Sequence, residues 1–133
     1  MVGLVIATHG NLGGEVLKAV EMIIGPVRNA CAVGVARESS LEGIQTELKQ
    51  AIAAVGTEGD GVIIMTDMFG GTPANVGLTF LEPDKVEVLT GINLPMVLKF
   101  FNSQEGLGLG ELAGILKTYG QQSISLASEY LKR

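Results

Sequence analysis

The chain has 133 residues, 47% of them apolar and 17% charged, with a formal net charge of -5 at pH 7. That length suits one domain, residues 1–133, with a buried core, and the composition is far from the low-hydrophobicity, high-charge range of disordered chains. The acidic balance with Lys and Arg scattered singly excludes a nucleic-acid surface, and the single cysteine, Cys31, excludes an internal disulfide and fits a reducing cytoplasm.

Residues 2–7 form a continuous apolar run that stops at Thr8-His9-Gly10, the pattern of a strand buried on both faces. The chain opens directly on this run, without the basic, apolar and cleavage regions of a signal peptide, so export is not expected. No uninterrupted apolar stretch approaches the roughly 20 residues of a membrane helix. Leu12, Val16, Leu17, Val20, Ile23 and Ile24 then recur at helical spacing, and Gly25-Pro26 ends the first helix. Residues 30–36 read as a second strand, with Cys31 buried in it. Ser39 and Glu42 follow at capping-box spacing and open a second helix whose stripe is Leu41, Ile44, Leu48, Ile52 and Val55.

Residues 61–66 are the most apolar strand candidate and belong at the centre of the sheet, with Asp67 directly at their end. After Met68-Phe69-Gly70-Gly71, Thr72 is expected as N-cap and Pro73 as first residue of a third helix running to about Leu81. Residues 86–90 give strand four. Leu94-Pro95 starts a fourth, well-buried helix, and Leu109, Leu112, Leu116 and Tyr119 line a fifth that Gly120 caps. Residues 123–126 alternate weakly as a last strand.

Alternation of strands and helices across short loops implies parallel βαβ units with right-handed crossovers, hence an α/β doubly wound, mainly parallel sheet. In such sheets chemistry gathers outside the carboxyl ends of the strands, where successive connections leave toward opposite faces. His9, the only histidine, and Asp67 both fall there, and strand order 2-1-3-4 makes their strands neighbours. A neutral imidazole is a nucleophile near pH 7, a carboxylate on one ring nitrogen fixes its tautomer, and a Gly-rich turn opening a helix offers N–H donors to a phosphoryl dianion. Gly70, Gly71 and Thr72 are expected to face that group, and Thr8 and Gly10 flank the histidine. One His among dispersed carboxylates supplies no metal-ligand set, and no cofactor is implied.

Three blocks, residues 2–10, residues 66–75 (Thr-Asp-Met-Phe-Gly-Gly-Thr-Pro-Ala-Asn) and residues 90–96 (Thr-Gly-Ile-Asn-Leu-Pro-Met), resemble in this order the IIA components of the mannose class of the bacterial phosphoenolpyruvate-dependent sugar phosphotransferase system. The resemblance implies that His9 is phosphorylated by the phosphocarrier HPr and passes the group to a IIB component in sugar uptake. It also implies that Asp67 orients the imidazole and that Phe69, Gly71 and Thr72 line the pocket, Thr72 standing where a serine is common. It further implies a cytoplasmic homodimer in which a C-terminal antiparallel strand, residues 123–126 here, is exchanged between subunits, and only indirect contact with a membrane permease. A regulatory phosphoacceptor module without sugar flux would need the same site and is the alternative.

Overall fold

A computed structural model describes residues 1–131. Four strands, β1 (Gly3–His9), β2 (Ala30–Val35), β3 (Val62–Thr66) and β4 (Val86–Thr90), form one parallel sheet in the order β2-β1-β3-β4. The expected class and strand order are therefore both realised. Every residue of β1 is buried except the last, His9, and all of β3 is buried. Central strands covered on both faces have no reason to alternate apolar with polar, which is why both read as unbroken apolar runs.

The covering helices divide between the two faces. Leu4, Ile6, Ile63, Met65 and Leu89 pack with residues of α1 (Leu12–Ile24), α4 (Leu94–Asn102) and α5 (Leu109–Gln122), including Val20, Val97, Phe100, Leu112 and Leu116. On the other face Val5, Ala7, Val33, Val35 and Ile64 pack with Ile44, Leu48 and Val55 of α2 (Leu41–Val55) and Val76 of α3 (Thr72–Leu78). Thus the chain leaves β1 through a helix on the first face and leaves β3 through a helix on the second. The cleft between the ends of β1 and β3 is the switch point of the sheet, where a doubly wound fold presents its ligand site.

Local details differ from the sequence expectation in several places. Ser40, not Ser39, caps α2, accepting from the Gly43 N–H at 3.0 Å, while the Ser39 hydroxyl accepts from the Ala36 N–H. Gly71 is the N-cap of α3 and Thr72 its first residue. That helix ends at Leu78, and shorter i+3 bonds from the Phe80 and Leu81 N–H groups close the chain beyond it. Gly120 lies inside α5 instead of ending it, where a Cβ would come within 2.6 Å of Met96 Cε. Cys31 is only half buried. Residues 123–126 pair with no strand; Ser123 caps α5, and residues 124–126 run exposed into a single-turn α6 (Ala127–Tyr130).

Candidate functional site

His9 and Asp67 meet at the switch point. Asp67 Oδ2 lies 2.8 Å from His9 Nδ1 and accepts the His9 backbone N–H at 3.0 Å, while Oδ1 accepts the Met68 N–H at 3.1 Å. The Asp67 side chain is 14% exposed and that of His9 51%. Burial acts to raise the pKa of the Asp67 carboxyl, but the hydrogen bonds from the His9 ring and backbone, with the field of the imidazole, outweigh it and hold the group below its ordinary 3.8. An ionised carboxylate only accepts hydrogen bonds, so in the neutral ring Nδ1 carries the proton and Nε2 keeps its lone pair. The imidazole is thus fixed to its own backbone through one carboxylate oxygen, an arrangement able to present Nε2 as a nucleophile.

Gly71 abuts the ring. A Cβ there would lie 2.6 Å from His9 Cε1, closer than real carbon contacts allow, and a tight 3.2 Å from Nε2, so the missing side chain is the space the imidazole occupies. Gly70, at φ +87°, and Gly10, at φ +57°, turn the chain out of β3 and β1 in the left-handed region. The Gly10 N–H bonds to Val35 O at 2.8 Å, which extends the β1–β2 ladder past His9. At the start of α3 the Thr72 and Ala74 N–H groups have no intrahelical acceptor, and Pro73 has no N–H to offer.

Not every expected residue reaches the imidazole. Thr8 precedes His9 in the strand and so faces the opposite side of the sheet; it is fully buried, and its hydroxyl accepts the Gly13 N–H at 2.9 Å. Its hydroxyl fixes the start of α1. Met68 and Phe69, 54% and 73% exposed, stand as apolar side chains on the loop beside His9, open to a partner surface. The sequence reading missed why Gly71 must be small, because close approach to a residue 62 positions earlier leaves no local signal. Among the described residues no group of three or more His, Cys, Asp or Glu side chains is placed to hold a metal ion, and no helix is long and apolar enough to cross a membrane.

A sequence profile described as "PTS system fructose IIA component" (EIIA-man) matches residues 3–116. The PTS system fructose-specific EIIA component of Bacillus subtilis (strain 168) is 31% identical over 134 aligned positions, covering 100% of this chain and 91% of its own. The PTS system mannose-specific EIIAB component of Escherichia coli (strain K12) is 27% identical over 74% of this chain, a stretch that spans only 30% of that longer protein. The crystal structure of phosphotransferase system component EIIA from Streptococcus agalactiae superposes with a TM-score of 0.87 at 23% identity, covering 97% of this chain and 99% of that one.

Proposed function

Because the chain belongs to the EIIA-man family of phosphotransferase-system IIA components, we propose that His9 is the residue through which it relays a phosphoryl group, taking it from phospho-HPr and passing it to a IIB component during sugar uptake. The observation that carries this reading is the 2.8 Å contact between His9 Nδ1 and Asp67 Oδ2 at the switch point. Nε2 attacks phosphorus in line. The N–P bond forms as the donor's bond to phosphorus breaks, the donor keeping the electron pair. Asp67 stabilises the positive charge that develops on the ring, and transfer to the IIB component reverses these steps. Catalysis here is positioning plus charge stabilisation. Half-exposure of the imidazole supports a protein as donor, since a second surface must reach Nε2.

A IIA component meets proteins and not the sugar, so its site carries no sugar specificity. The two relatives above carry different sugars in their names, fructose for one and mannose for the other. We also propose a homodimer. Its support is the outer edge of β4 beyond the Glu82–Val86 bridge, which carries no further strand among the described residues, together with the exposed apolar side chains of Ile124, Leu126, Tyr130 and Leu131.

The decisive experiment is incubation of the protein with phosphoenolpyruvate, the kinase that charges HPr, and HPr. Acid-labile label on the wild type and none on His9→Ala is the expected result. An unlabelled wild type, or equal labelling of both, overturns the reading.

A further inference from the structure

We propose that Arg37, on the loop after β2, grips the phosphoryl group carried at His9; the inference rests on His9 being the phosphorylated residue. A phosphoryl group on Nε2 brings close to two negative charges beside the ionised carboxylate of Asp67. The neutral donors at the start of α3 do not cancel them, and Pro73 removes one of those donors. A side-chain cation is what the site lacks. Of the four loops leaving the carboxyl ends of the strands, residues 10–11, 36–40, 67–71 and 91–93, only the second contains a Lys or Arg, and that residue is Arg37.

Its backbone is held next to the site. His9 pairs with Val35 across the β1–β2 ladder, and the Gly10 N–H to Val35 O bond carries the pairing one residue further. Val35 packs on the same face as Ala7, the face that His9 also shares by strand alternation. Arg37 follows two residues later, at the tip of a turn closed in both directions: the Ser39 N–H bonds to Ala36 O at 3.1 Å and the Ala36 N–H to Ser39 Oγ at 3.0 Å. The Arg37 side chain itself is exposed, and no carboxylate of the described residues lies within 4.0 Å of it, whereas Lys18 and Lys85 each pair with a glutamate. Neighbouring strands are about 4.8 Å apart, a gap a flexible arginine stem spans, and the planar guanidinium fork offers two parallel N–H bonds to two phosphoryl oxygens.

The test compares wild type, Arg37→Ala and Arg37→Lys in steady-state phosphorylation by phospho-HPr and in the ³¹P resonance of the isolated phosphoprotein. The alanine variant is expected to lose about tenfold in kcat with KM nearly unchanged, less than an arginine finger in a closed site because this loop is solvated. Its ³¹P resonance should move, and lysine should restore part of both. Equal kcat and an unmoved resonance overturn the assignment. A change in KM alone overturns it too, since that makes Arg37 a docking residue for the donor protein. A wild type that takes no label on His9 overturns the relay reading itself, and is seen before any Arg37 variant is compared.

Discussion

One oxygen of Asp67 accepts both the ring Nδ1–H and the backbone N–H of His9, at 2.8 and 3.0 Å. The carboxylate therefore sets tautomer, ring rotation and backbone of the nucleophile together. Asp67→Asn separates geometry from charge, because its single amide oxygen cannot also serve the Met68 N–H that Oδ1 accepts now, and its NH₂ favours the wrong tautomer if it turns to the ring. Initial rates of His9 labelling should fall on the order of 10³-fold in the asparagine variant. Labelling within about tenfold of wild type would remove Asp67 from the chemistry.

Gly71→Ala tests the packing of the ring. The added methyl meets Cε1 at 2.6 Å, and an imidazole tied to Asp67 can yield only by breaking that tie or by pushing the loop of residues 67–71 outward. Displacement by about 1 Å is worth on the order of 10² in rate. We expect a folded protein, by circular dichroism, with labelling slowed by about that factor. Wild-type rates would mean that the loop gives way at no cost to the site.

How far this site was legible follows from what each residue needs. His9 and Asp67 end apolar runs that announce buried strands, and parallel topology alone brings those ends together. Gly71 and Thr8 take their roles from contacts across the fold, with the imidazole and with Gly13 respectively, and no spacing encodes either one. Two adjacent serines, Ser39 and Ser40, are equally good cap residues, and only the path of the turn assigns the cap to Ser40. Residues 123–126 have strand-like alternation but no neighbouring strand within their own chain. Arg37 has no motif at all, and its interest comes from the register of β2 against β1.

Acid stability should depend on the same pair. The Asp67 carboxyl is held below its ordinary 3.8 in the folded protein, so its contribution to stability is fully present above that ordinary value and is lost as pH falls through the lower folded one. Urea denaturation of wild type and Asp67→Asn at a series of acid pH values should give a stability difference that shrinks as pH falls below 3.8. A difference that did not change with pH would assign the effect of the substitution to packing.

Thr66, the residue before Asp67, is fully buried, and its hydroxyl has no hydrogen-bond partner. An unmade buried hydrogen bond costs about 1–3 kcal/mol, and an apolar group of similar shape removes that cost. The Thr66 backbone carbonyl already anchors the Gly91 and Ile92 N–H groups, a function that any residue keeps. Thr66→Val should therefore stabilise the protein by about 1 kcal/mol in urea denaturation, with His9 labelling unchanged. A loss of stability would point to a polar contact for that hydroxyl in solution.

The C-terminal stretch gives the test of the dimer. Ile124, Leu126, Tyr130 and Leu131 are between 62% and 78% exposed, four large apolar side chains close together in sequence, while Leu112 and Leu116 of the preceding helix are fully buried. Single exposed apolar residues are ordinary, but a cluster of this kind is a mark of an interaction surface. At the same time β4 is the last strand of the sheet, its outer edge bridged by Glu82 at Val86 and covered by no further strand among the described residues, and Ile124 lines a cleft with Val88, Thr90 and Met96 along it. A strand from a second copy would close the edge and cover the cleft. Sedimentation of the full chain should give a dimer, and a chain truncated after Ser123 should give a monomer that keeps its helical circular dichroism, because the core residues all precede the cut. A monomeric full chain would remove the dimer, and a truncated chain that still dimerises would move its interface away from this segment.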